Sequence, residues 1–134
     1  MLKLPIACLL LLIIVQMASG QKTRSLENGT WGGTGVALVV TSAQASIQFD
    51  CARGQTEKPL RIKKDGTFEA MGTFERSGPG PIRLGSSPTT RKVTYKGKMT
   101  GKTMSLSLRD SISGEDLGSF TLTKGGEGRL HRCY

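Results

Sequence analysis

The chain has 134 residues, a formal net charge of +9, one histidine and three cysteines. That length makes a single domain with one core, and the positive balance favours anionic partners. So few histidines and cysteines leave no clustered zinc site, and no cofactor is predicted.

Lys3 gives a positive start, residues 9–15 are an unbroken Leu/Ile/Val run, and Ala18-Ser19-Gly20 supplies small residues. This is the three-part pattern of a cleavable secretory signal. The apolar stretch, residues 4–17, is shorter than the about 20 residues of a spanning helix, and polar Gln21-Lys22-Thr23-Arg24 follows at once. Residues 1–20 are therefore read as a signal peptide, 21–28 as a flexible N-terminal arm, and 29–134 as one domain. The expected location is secreted or periplasmic, with no membrane span after processing. Cys8 falls in the signal, which leaves Cys51 and Cys133. An even pair in an exported protein reads as one structural disulfide.

From Trp31 onwards apolar residues recur with period two, the mark of half-buried strands. Val36, Leu38 and Val40 alternate within residues 31–40, and Ile47, Phe49 and Cys51 share the next face. Leu60 and Ile62 follow, then Phe68, Ala70, Gly72 and Phe74. Val93, Tyr95, Gly97 and Met99 alternate with Lys92, Thr94, Lys96 and Lys98. Met104, Leu106 and Leu108 alternate with Ser105, Ser107 and Arg109; Phe120 and Leu122 alternate with Ser119 and Thr121. Leu130 opens a last strand towards Cys133. Turn signals separate these runs at residues 42–44, Asp65-Gly66, Thr100-Gly101, residues 110–116 and Gly125-Gly126-Glu127-Gly128. Asp-Gly between alternating strands is a strong hairpin signal. No helical period is present.

The prediction is an all-β domain of about eight antiparallel strands, closed as a small up-and-down barrel that leaves no exposed edge. The alternative is a two-sheet β-sandwich. Strict alternation sends Leu130 and Cys133 to opposite faces although Cys51 lies in the apolar phase. A bulge near His131, or a bond at the strand end, accounts for either arrangement.

Gly29-Thr30-Trp31 resembles the Gly-x-Trp start of the calycin group: lipocalins, avidins and small bacterial metalloprotease inhibitors. The resemblance implies a calycin-like barrel whose Trp31 closes one end, with Arg129 or Arg132 packed over the indole. Trp31 is the single tryptophan, whereas avidins line their biotin site with several. The layout from Gly29-Thr30-Trp31-Gly32-Gly33 through Phe49-Asp50-Cys51-Ala52, Asp65-Gly66-Thr67-Phe68 and Tyr95-Lys96-Gly97 to Cys133 is similar to a group of small exported bacterial proteins of uncharacterised activity. That likeness supports export and the disulfide and implies no reaction.

Catalytic chemistry finds little footing. His131 is the one imidazole, no Gly-x-Ser-x-Gly elbow occurs, and a nucleophile needs a base within reach. Most carboxylates fall in turns or on outward positions; Asp50, beside Cys51, is the one in a distinctive setting. The chain is read as a non-enzymatic, monomeric binding protein, with three sites in view. A small apolar ligand inside the barrel would sit between Phe49, Phe68 and Phe120, in competition with about twenty inward side chains. A surface-binding protease inhibitor or envelope accessory protein would use the arm or the Gly/Pro/Ser-rich connection 76–90, with Ile82, Arg83 and Leu84 as contacts. An anionic polymer would follow the basic run Arg91, Lys92, Lys96, Lys98 and Lys102. Nucleic-acid surfaces usually add outward aromatic platforms, and here the phenylalanines and Tyr95 lie in the apolar phase. Asn28-Gly29-Thr30 fits the N-glycosylation pattern, which matters only in a host that glycosylates.

Overall fold

The structure is a computed structural model that describes residues 22–76 and 90–131. The expected signal peptide, Ile82, Arg83, Leu84, Arg132 and Cys133 lie outside the described residues. Among the described residues there are ten strands: β1 (Arg24–Ser25), β2 (Gly29–Gly33), β3 (Val36–Val40), β4 (Ala45–Phe49), β5 (Ala52–Thr56), β6 (Arg61–Ile62), β7 (Thr67–Arg76), β8 (Thr90–Thr100), β9 (Thr103–Asp110) and β10 (Asp116–Lys124). Eight of them close an antiparallel barrel in the order β10-β2-β3-β4-β5-β7-β8-β9. The up-and-down barrel is thus the fold, and the sandwich is not. Among the described residues no helix is long and apolar enough to cross a membrane.

Four elements differ from the sequence reading, the last of them the C-terminal segment, and the barrel count of eight survives because two strands gained offset two lost. The run 31–40 is two strands, broken at Thr34-Gly35, where Gly35 takes a φ of +75° that suits glycine. Residues 52–56, with no large apolar side chain, form β5 between β4 and β7. The strand expected at Leu60 and Ile62 is the two-residue β6, which pairs with β1 outside the barrel through Arg24–Ile62 and Ser25–Arg61. The expected arm is thereby tied down, with the Leu26 amide bonded to the Leu60 carbonyl at 3.0 Å. Cys51 does not continue the face of Ile47 and Phe49. It occupies the β4–β5 turn with a φ of +58°.

The C-terminal segment also differs. Instead of a last strand from Leu130, residues 125–131 run as a strap across β2. The Gly125 amide donates to the Thr30 carbonyl at 2.7 Å, and the Arg129 amide to the Gly33 carbonyl at 3.0 Å. Gly35 returns a bond to the Arg129 carbonyl at 2.8 Å, and the His131 amide reaches Asp50 Oδ1 at 2.6 Å. Gly32 has no side chain where the strap crosses: a Cβ there would lie 2.6 Å from the Glu127 carbonyl carbon.

Inward positions fill the barrel. Phe49 meets Phe74 edge-to-face at 5.5 Å and Phe120 at 5.1 Å, which plugs the end near the Thr34-Gly35 and Asp50-Cys51 turns. Leu60, Ile62 and the nearly fully buried Trp31 (2% exposed) pack into the same core. The interior void lined by Leu38, Ile47, Leu60, Phe68, Tyr95 and Leu106 is about 10 Å³, room for at most one water. Tyr95 lies over Gly72 and Gly54 on the two neighbouring strands, and its hydroxyl donates to the Thr73 carbonyl at 2.6 Å.

Burial pushes the Tyr95 phenol well above its ordinary value. A raised folded-state value means that this contribution to stability is complete below about pH 10, where the unfolded phenol ionises. It is lost as the pH rises further. Urea midpoints are therefore expected to fall between about pH 9 and about pH 11, and Tyr95→Phe to remove that part of the fall. A variant with the same alkaline slope as the parent would show that other groups set it.

Candidate functional site

The strands β7 to β10 present one continuous outer face. Because β8 alternates, Val93 and Tyr95 point inward and Lys92, Thr94, Lys96 and Lys98 point outward. The registers place neighbours beside them: Thr73 opposite Lys92, Glu69 opposite Lys96 and Thr67 opposite Lys98 on β7. On the other side, Arg109 lies opposite Thr94, Ser107 opposite Lys96 and Ser105 opposite Lys98. Beyond them on β10, Ser119 faces Ser107 and Thr121 faces Ser105. The result is a sheet face of cations and hydroxyls.

Acids share it. Glu69 stands 3.9 Å from Lys96, both well exposed, and such a pair is worth about 0–1 kcal/mol. Glu75, at the margin, is taken by Arg53 at 3.3 Å. Among the described residues no ion pair engages Lys92, Lys98 or Arg109. A shallow groove of about 430 Å³ lies over Lys96, Ser105, Ser107, Ser119 and Thr121. A second of about 200 Å³ lies over Thr94, Arg109 and Ser111, with Glu69 and Asp110 also in its lining, and the two meet at Lys96 and Ser107.

The five expected basic residues are not all on this face. Arg91 lies opposite buried Phe74, in the inward phase at the rim. There Glu115 holds it at 2.9 Å and Asp110 at 3.7 Å. Lys102 sits in the β8–β9 turn, and its carbonyl accepts from the Lys124 amide. Arg109, which the sequence reading passed over as a site residue, belongs to the face; its place in the outward phase of β9 was the available signal.

The other expected residues are placed as follows. Trp31 lies on β2 opposite Leu38 and Lys124, and lines a cleft of about 200 Å³ with Arg24, Leu26 and Met99. Arg129 is on the strap, bridged to Thr34 and exposed. The aspartates serve turns. The Thr67 hydroxyl and amide hold the Asp65 carboxyl below its ordinary value, helped by Lys63 and Lys98. The amides of Ser113 and Ile112 do the same for Asp110. Asp50 anchors the strap through the His131 amide. Among the described residues no three His, Cys, Asp or Glu come together. Comparisons of the chain with family models, with curated proteins and with solved structures give no match.

Proposed function

We propose that the chain is an exported, non-enzymatic protein that binds an anionic polymer along the outer face of β7–β10. The observation that carries the reading is that Lys92, Lys96, Lys98 and Arg109 project from one sheet face. The acids beside them are Glu69, the Arg53-bound Glu75, Asp116 opposite Arg109 and, near Lys98, the turn residue Asp65. Aligned cations concentrate an anionic chain and gain from the release of its counterions. The filled interior supports a surface site over an apolar ligand inside the barrel. Export rests on residues 1–20, and a disulfide between Cys51 and Cys133 fits the strap, which brings His131 to Asp50 beside Cys51.

Dextran sulfate titrated at several salt concentrations tests the reading. Binding is expected to weaken steeply with salt. The variant Lys92→Thr/Lys96→Thr/Lys98→Thr is expected to bind about 30-fold more weakly, with a slope of log K against log salt shallower by about two to three. A control with the same charge loss elsewhere, Lys22→Thr/Lys63→Thr/Lys64→Thr, separates the face from net charge. Equal losses in the two variants would sink the proposal.

A further inference from the structure

We infer that the polymer is an acidic polysaccharide, its carboxylates on Lys96 and Lys98 and its hydroxyls on the serines and threonines of β9 and β10. This rests on the anionic-polymer reading and deepens it. Two rows cross the strands. One runs Lys98, Ser105, Thr121; the other runs Lys96, Ser107, Ser119. Neighbouring strands are about 4.8 Å apart, and rows two residues apart are separated by about 7 Å. Each row therefore offers an ammonium followed by two hydroxyls.

Those hydroxyls are available. Ser119 and Thr121 are exposed, and neither side chain has a hydrogen bond among the described residues. Ser107 Oγ donates to the Lys96 carbonyl at 3.4 Å, and Ser105 Oγ donates to the Lys98 carbonyl at 3.4 Å and accepts from the Lys98 amide at 3.3 Å; these contacts are longer than well-formed bonds, so both hydroxyls can turn to a ligand. A hydroxyl donates and accepts. It is best matched by a ligand that does both, as sugar hydroxyls do, whereas phosphodiester or phosphoanhydride oxygens only accept. Nucleic acid would in addition want outward rings on which to stack, and Phe68, Tyr95 and Phe120 point the other way. The two grooves meet at Lys96 and Ser107. Their joined track suits an extended chain of several sugar units, with Lys96 at its centre.

The test compares polygalacturonate with polyphosphate of matched chain length by calorimetry at low salt. Charge density alone favours polyphosphate, so tighter binding of polygalacturonate, by about tenfold, is the expected sign of hydroxyl recognition. Ser107→Ala/Ser119→Ala/Thr121→Val keeps every charge. It is expected to weaken polygalacturonate about tenfold and to leave polyphosphate within about twofold. If polyphosphate binds as well or better and the hydroxyl variant changes neither, the polysaccharide inference fails while the anionic-polymer reading stands. If neither polymer binds and dextran sulfate does not bind either, both fall.

Discussion

A single methyl group on Gly54 is expected to destabilise the barrel by about 2–6 kcal/mol. Gly54 sits mid-strand on β5, between Ile47 and Phe74, and its missing side chain is the space that Tyr95 uses. A Cβ there would overlap the Tyr95 hydroxyl and lie 2.5 Å from the Thr73 carbonyl oxygen. Those two atoms form the buried 2.6 Å hydrogen bond. Gly54→Ala thus combines overpacking of about 1–3 kcal/mol with an unsatisfied buried hydroxyl of about 1–3 kcal/mol. Urea unfolding gives the total, and a double-mutant cycle gives the cause. In the parent, Tyr95→Phe should cost about 1 kcal/mol. In the Gly54→Ala background the same change removes the clashing oxygen, so its cost should vanish or reverse. Additive costs would mean that the glycine is needed for some reason other than the phenol.

The same contact explains why β5 was hard to read. A strand is recognised by its large apolar alternation, and Ala52-Arg53-Gly54-Gln55-Thr56 has none because Tyr95 fills the volume opposite it from β8. Thr56, inward and buried, bonds instead to the Ala45 amide and the Lys58 carbonyl. The β2–β3 turn was legible in principle. Trp31 is inward at an odd position, while Val36, Leu38 and Val40 are inward at even ones. A one-residue change of phase is the trace of a turn between two strands. Reading residues 31–40 as a single strand overlooked it. The same slip separates Ile47 and Phe49 from Gly54 and Thr56, and it places Cys51 in the turn.

Lys92, Lys96 and Lys98 were legible as one face because period two fixes their side from the sequence alone. What alternation cannot give is the order of strands around the barrel. That order sets Ser107 beside Lys96 and Ser119 beside Ser107. The strap was invisible for a related reason. Gly125-Gly126-Glu127-Gly128 reads as a turn in isolation. Its role emerges only where Gly128 passes over Ala37, so close that a Cβ would lie 2.6 Å from the alanine methyl.

Reduction of the proposed Cys51–Cys133 bond, or the pair Cys51→Ser/Cys133→Ser, is expected to lower stability by about 3–4.5 kcal/mol. The chain-entropy value for a closed loop of about 80 residues sets the upper end. The loss should be felt first at one seam. β7 and β8 are registered from Thr67–Lys98 to Glu75–Thr90, but β10 meets β2 only at Thr123–Gly32 and Lys124–Trp31. Past Gly32, the strap supplies the partner for the end of β2, through the bonds between Arg129 and the backbone of Gly33 and Gly35. The proposed bond at Cys51 would fasten that strap at its far end, next to the Asp50–His131 contact. Hydrogen exchange reads the difference: the amides of Gly35, Arg129 and His131 should open early in the reduced protein. Amides in the middle of β7, β8 and β9 should change only as far as global stability does. Asp50→Ala in the oxidised protein should speed exchange at His131 while leaving the unfolding midpoint within about 1 kcal/mol of the parent, because the covalent tie still closes the loop. Should the oxidised and reduced proteins unfold at the same urea concentration, the strap holds by its backbone bonds alone. The cysteines would then contribute nothing to closing the barrel.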